Sequence, residues 1–288
     1  MGVIVGSLAG QNWHRQVRQR GLTGRDAFYY AFGKTVAVGK KYGFSPMGID
    51  FGVMSIAWAH EKDLDELRGK IKDSNLYPMV GFGPVAVSND AEVRNASLEQ
   101  IRKNLRIVKS FGARTSNFGC QRNGRVTPSG QIKYAVMQLK EVGKMAADLG
   151  IRICQENFDW WDSYELVQIS QEVGMANVGI QSDTGNWLIV REDPVEATRR
   201  CLPYTMHAHV RDYVLENDTY NGVAVGAGLI DFEKILPLLA EAGRKEDIVF
   251  SMEVDTDDRD EDTCAADSYQ YLKDWCVKNG HSEALGKK

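Results

Sequence analysis

Short apolar runs alternate with longer amphipathic stretches from one end of the chain to the other, and this rhythm restricts the fold more than any single residue does. Parallel strands cannot be joined by a tight turn; each pair needs a crossover, usually a helix. A repeated order of apolar run and amphipathic stretch therefore points to βα units around a parallel sheet. Strands are expected in GVIVGSL, MGIDFG, YPMVGFG, ARTSNFG, IRICQEN, VGIQSD, YTMHAHV and DIVFSMEV. The first helix, GRDAFYYAFGKTVAVGKKYGF, sets Phe28, Ala31, Val36 and Val38 among charges, and DLDELRGKIKDSN repeats Leu64, Leu67 and Ile71 at helical spacing. In SLEQIRKNLRIVKSFG, Ser97 and Gln100 form a capping box, and YAVMQLKEVGKMAADLG stops at Gly150. SYELVQISQEVG, DPVEATRRCL, DFEKILPLLAEAG and a stretch from about Thr263 to Asn279 complete the set.

Eight strands and eight helices joined by right-handed crossovers predict an α/β fold, the (β/α)8 TIM barrel, as a single domain over residues 1–280. Residues 281–288 read as a flexible C-terminal tail. A chain of 288 residues, 43% hydrophobic, is long enough to fill such a barrel. The net charge of -4 offers no basic field for a phosphate backbone, which argues against a nucleic-acid partner. The five cysteines are odd in number and form no C-x-x-C pair, so they read as reduced thiols. MGVIVGSLAG lacks the basic start of a secretory signal and no apolar run is long enough for a membrane span, so a cytoplasmic protein without membrane partner is expected.

Four residues of metal-ligand type close four successive strands: Glu156, Asp183, His209 and Glu253. A lone carboxylate at a strand end is most simply a surface ion pair, but four ligands in the same phase of four βα units converge on one face of a barrel, where side chains of adjacent strands meet. Three carboxylates and one imidazole suit a hard-to-borderline divalent cation. Two residues before each ligand, on the same face, stand Cys154, Gln181, His207 and Ser251. Polar groups there suggest a layer that orients the ligands, although His207 also fits a core histidine bonded to a carbonyl.

Around these strand ends lie residues able to line a pocket. Trp13, Trp58, Trp160, Trp161 and Trp187 sit near strand-to-helix loops, where an indole either walls a sugar site or packs a loop base. Arg122 and Arg125 in CQRNGR either clamp an anion or remain solvated. His14 and His60 read as solvated loop residues, and the glycine-rich GAGLIDF lacks the strand-turn-helix setting of a nucleotide fingerprint.

The segments QEN, SDTGN, HAHVRD, GAGLIDF and FSMEVD together resemble the xylose isomerase-like TIM-barrel superfamily of sugar phosphate isomerases and epimerases, most closely from Cys154 to Asp255. The resemblance implies one divalent metal on Glu156, Asp183, His209 and Glu253: manganese first, with cobalt, magnesium or zinc as alternatives. It departs at three positions. Ketose 3-epimerases carry a histidine where this chain has Asn186, the usual lysine after the metal histidine is Arg211, and glycoside-cleaving relatives have a histidine at the place of Phe158.

What the resemblance implies is isomerisation or epimerisation of a keto-sugar, or of a related polyol or keto-acid, through a metal-stabilised cis-enediolate. Glu156 and Glu253 would be the acid/base pair. Asn186, His207, Arg211, Trp13, Trp58, Trp160, Trp187 and Arg122 would hold a small carbohydrate-like substrate, and a homo-oligomer packed through helices is expected. The alternative is a lyase, whether decarboxylase, dehydratase or keto-glycoside-cleaving enzyme, that sends the same intermediate to a different product.

Overall fold

The computed structural model describes residues 2–9, 12–158, 160–244, 246–254, 256 and 259–286. The eight expected strands are all present: β1 (Val3–Leu8), β2 (Met47–Gly52), β3 (Leu76–Gly81), β4 (Thr115–Phe118), β5 (Arg152–Glu156), β6 (Val178–Asp183), β7 (Thr205–Val210) and β8 (Ile248–Met252). They form one sheet in the order β3-β2-β1-β8-β7-β6-β5-β4, with β1 beside β8, the strand order of a (β/α)8 barrel. Beyond β3 and β4 the chain continues their approach: Phe82 N donates to Asn117 O at 3.2 Å, and Val85–Ala86 pairs in parallel with Cys120–Gln121.

Each strand leads to a helix: α1 (Gly24–Tyr42), α2 (Glu61–Asp73), α3 (Ala91–Ser110), α4 (Pro128–Asp148), α5 (Ser163–Val173), α6 (Pro194–Cys201), α7 (Phe232–Ala242) and α8 (Glu261–Lys278). Their starts follow from local chemistry. Asp162 and Glu165 cap α5 reciprocally, and Thr127 with Pro128 opens α4. Leu64, Leu67 and Ile71 are the buried stripe of α2. The start of α3 differs from the expected one, because Asp90 caps it by accepting from Glu92 N at 2.8 Å. A carboxylate at that point starts the helix about two turns earlier, and Ser97, inside α3, accepts instead from Ala86 N at 3.2 Å.

Backbone contacts divide the chain into two compact units, Met1–Pro78 with Ala208–Lys288, and Met79–His207. In the first, β1 pairs with β2 through Gly6 and Gly48 and with β8 through Gly6 and Ser251, while Ser251 pairs with His209. Partners across a parallel pair share a face, so Asp50, His209 and Glu253 all lie in the phase of Gly6. A Cβ on Gly6 would come within 2.6 Å of the Gly48 backbone, which leaves glycine as the residue that permits this close approach. In the second unit Cys154 pairs with Gly179 and Glu156 with Gln181, which puts Glu156 and Asp183 in one phase at the carboxyl ends of β5 and β6.

The five cysteines are buried and no disulfide joins them. Burial pushes the thiols of Cys201 and Cys276 up to about 12, so both stay protonated and inert at neutral pH. Among the described residues no helix is long and apolar enough to cross a membrane. Within the stretch read as a tail, Ser282–Leu285 forms a 3-10 turn with Ala284 buried.

Candidate metal centre

Glu253 follows the last residue of β8 and is almost completely buried. Its Oε2 lies 3.1 Å from Nδ1 of His209, and its Oε1 is paired with the Arg211 guanidinium. Burial opposes ionisation of this carboxyl. The Arg211 charge and the His209 ring outweigh it and hold the group well below the usual carboxylate range, at about 2. Arg211 is itself steered by Tyr213, whose hydroxyl accepts from Nη1 at 2.7 Å.

The other nitrogen of His209, Nε2, lies 3.2 Å from Oδ2 of Asp50, a fully buried carboxylate on β2. A carboxylate there accepts a hydrogen bond from Nε2–H, which would leave Nδ1 to a cation shared with Glu253, the way a metal-binding imidazole is oriented. Sequence reasoning did not single out Asp50, yet MGIDFG contains a visible signal: its one charged residue interrupts an otherwise apolar strand in the phase of the ligands.

In the second unit, Asp183 is fully buried and its Oδ1 accepts from Gly185 N at 2.9 Å and Asn186 N at 3.1 Å. The backbone of Asp183 is held by a side chain: Asn157 Nδ2 donates to Asp183 O at 2.9 Å, and Asp183 N donates to Asn157 Oδ1 at 2.7 Å. One carboxamide thus replaces two ladder bonds just beyond the last residue of β5, fixing Asp183 next to the strand that carries the half-buried Glu156.

Asn12 does the same for Glu253 in the first unit. Its Nδ2 donates to Met252 O at 3.1 Å and its Oδ1 accepts from Val254 N at 2.7 Å, bracketing Glu253 on both sides. The two asparagines spend their hydrogen-bonding groups on backbone and keep the ligand-bearing strand ends in register.

The four expected ligands thus stand at strand ends, His209 and Glu253 3.1 Å apart in the first unit and Glu156 and Asp183 on paired strands in the second. Such a set matches the preference of a divalent cation for oxygen with one imidazole nitrogen. Of the residues beneath the ligands, Gln181 and Ser251 do not play the orienting part expected of them. Among the described residues neither carboxamide atom of Gln181 and no partner of Ser251 Oγ completes a hydrogen bond. His207, two residues before His209 on β7, is fully buried.

The remaining pocket residues separate by location. Trp13 and Trp187 are fully buried, with indole N–H groups donated to Asp262 Oδ1 at 2.8 Å and Ser182 Oγ at 3.2 Å. Trp58 lines a groove of about 410 Å³ with Val17, Phe28 and Met54. Arg122 is paired with Glu165 and stacks 3.9 Å from the centre of the buried Trp161 ring, so its charge is already balanced within the loop it braces. His14 stands 3.7 Å from Glu261, and His60 is the N-cap of α2.

Asp212 explains two of the sequence motifs at once. Fully buried, it accepts four backbone N–H bonds: from Tyr213 at 2.9 Å and Ile230 at 3.2 Å on Oδ1, and from Gly226 at 3.0 Å and Gly228 at 2.8 Å on Oδ2. A Cβ on Gly228 would overlap this carboxylate, and Asp231 of the same segment caps α7 through Lys234 N. GAGLIDF is therefore a clamp that closes on HVRD and starts a helix. Asp255, the end of FSMEVD, lies outside the described residues.

The family model for the xylose isomerase-like TIM barrel matches residues 36–275. The chain belongs to this family. Solved structures of similar fold include D-psicose 3-epimerase with D-tagatose from Clostridium cellulolyticum H10, with TM-score 0.70 and 18% identity over 96% of this chain and 99% of that one. A xylose isomerase-like TIM barrel protein from Mycobacterium smegmatis in complex with magnesium has TM-score 0.67 and 19% identity over 99% and 98% of the two chains. The probable 3-DHS dehydratase AsbF from Bacillus anthracis has TM-score 0.70 and 14% identity over 93% and 98%. No curated protein matches the sequence. At these identities the family members share the fold, while the chemistry of this chain has to be argued from its own residues.

Proposed function

We propose that the protein is a divalent-metal-dependent isomerase or epimerase of a keto-sugar or a related polyol or keto-acid, with Glu156, Asp183, His209 and Glu253 as metal ligands. The observation that carries this reading is the occurrence of three carboxylates and one imidazole at the carboxyl ends of four barrel strands, with His209 and Glu253 3.1 Å apart and Asp183 held beside the strand of Glu156. Manganese is the first choice, with cobalt, magnesium and zinc compatible with the same donors. When bound, the cation acts as a Lewis acid on a carbonyl and its neighbouring hydroxyl, lowering the cost of removing the proton between them.

The chain's own residues supply the rest. Glu253, held ionised by Arg211 and His209, is a poor proton acceptor and a firm anchor. First proton removal then falls to Glu156, which stands half-buried at the carboxyl end of β5. Delivery of a proton from solvent to the same carbon on the opposite side would give an epimer; return by Glu156 to the adjacent carbon would give an isomer. Asn186, whose backbone N–H is on Asp183, and Arg211, paired with Glu253, would hold substrate oxygens. The substrate reading draws support from the sugar epimerase named above, and the protein is read as a soluble, cytoplasmic homo-oligomer.

A lyase is the second reading, favoured by the equally close fold of the Bacillus anthracis dehydratase. Incubation of the manganese-loaded protein with keto-sugars and keto-acids in deuterium oxide separates the two. An isomerase yields a product isomeric with its substrate, carrying about one solvent-derived deuterium unless transfer outpaces exchange. A product lighter than its substrate overturns the leading reading.

A further inference from the structure

A cavity of about 220 Å³ opens beside the loop that follows β5, lined by Asn157, Phe158, Trp160, Asn186, Ile189 and Val190. Four of the six are apolar. Phe158 is 55% exposed and Trp160 67% exposed, so two large apolar side chains are left facing the cavity and solvent. Adjacent exposed rings of this kind mark a binding surface more often than they mark inert surface.

The position of Trp160 is imposed by its surroundings. It adopts φ +67, a left-handed conformation that a non-glycine residue takes only where its surroundings hold it there. Its carbonyl accepts from Arg122 Nη2 at 3.0 Å, and the next residue, Trp161, is buried with its indole N–H on Cys120 O at 2.7 Å. Arg122 thus braces the loop that presents the Trp160 ring.

The two polar walls differ. Both ends of the Asn157 carboxamide are taken by the Asp183 backbone. Asn186 is only 8% exposed, its backbone N–H is on Asp183 Oδ1, and among the described residues its side-chain Nδ2 has no hydrogen-bond partner. The cavity therefore offers four apolar walls and one unspent donor, beside two residues that touch or follow proposed metal ligands.

A bare sugar stacks a C–H face on one ring yet sets hydroxyl groups against the remaining apolar walls, losing their hydration without replacement. An apolar group meets no such cost, and a cavity of about 150 Å³ already accepts benzene. We propose that this cavity is a subsite for an aryl substituent carried by the substrate, with Asn186 Nδ2 donating to an oxygen where the ring joins the polyol. The proposal rests on the reading of the adjoining centre as the place where a carbohydrate-like substrate binds.

The test compares phenyl β-D-glucopyranoside with methyl β-D-glucopyranoside by calorimetric titration of the full chain, once loaded with manganese and once stripped by chelation. Burying one ring predicts that the phenyl glycoside binds about tenfold or more tightly than the methyl one in both preparations. Trp160→Ala and Phe158→Ala, both at exposed positions, should bring the ratio toward one. Equal affinity for the two glycosides, no binding of either, or a ratio unchanged in both variants overturns the subsite. So does sedimentation showing that Trp160→Ala dissociates an oligomer, since the rings would then be an interface between copies. A phenyl preference that persists without metal, in a protein that isomerises nothing, would leave the subsite standing and overturn the isomerase reading alone.

Discussion

Asp50 Oδ2 lies 3.2 Å from Nε2 of His209, and that contact decides which nitrogen of the imidazole faces Glu253. A carboxylate behind a metal-binding histidine fixes both tautomer and ring orientation. Asp50→Ala should weaken manganese binding about 10- to 100-fold, with Asp50→Asn intermediate, because a carboxamide oxygen still accepts the Nε2 proton but carries no charge. Metal titration of the two variants checks this, with circular dichroism to verify that both fold.

Removing Arg211 should change how stability depends on pH. Because the Glu253 carboxyl titrates lower in the folded chain than in the unfolded one, its contribution is complete above the ordinary range near about 4.3. It is lost as pH falls toward about 2. In the metal-free protein, Arg211→Met should therefore cost about 3 kcal/mol or more at pH 7, where it strands a buried charge, and clearly less at pH 3. Denaturant unfolding at both pH values measures the difference.

The strand-end ligands were legible because metal binding imposes a repeated requirement: one donor, at one phase, at the end of each of four strands. Glu156, Asp183, His209 and Glu253 obey it, and the βα rhythm located their strands. Asp50 obeys it as well but stands on β2, away from the run of motifs. Asn12 and Asn157 left no periodic trace, since a carboxamide that replaces ladder bonds can come from any nearby loop. Polar loop residues were the hardest to place: Arg122 looked available to a substrate until Glu165, 43 residues later, was seen to balance it. The start of α3 differs for a local reason, because Ser97 and Asp90 are both good caps and the earlier Asp90 carboxylate takes the Glu92 N–H.

Asn157→Ala should separate positioning from coordination. Loss of the side chain leaves the Asp183 N–H and C=O without their partners, at about 1–3 kcal/mol for each buried group, and loosens one ligand without deleting any. The expected result is lower stability together with weaker metal binding, whereas Asn157→Asp, which keeps the acceptor for Asp183 N, should recover part of both.

Asp212→Ala removes the acceptor of four backbone N–H groups and should destabilise the chain by at least about 3 kcal/mol. The segment from Tyr213 to Ile230 should also become open to limited proteolysis. Asp212→Asn, able to keep two of the four bonds, should fall between the two. Cleavage mapping by mass spectrometry gives the readout.

The most direct test of the metal centre is a manganese titration of the stripped protein followed by electron paramagnetic resonance, on the wild type and on Glu156→Gln, Asp183→Asn, His209→Gln and Glu253→Gln. One ion per chain, with each substitution weakening it by about a hundredfold or more, is the predicted result. Absence of binding in the wild type, or full affinity in any of the four variants, would contradict the assignment of these side chains to one shared cation.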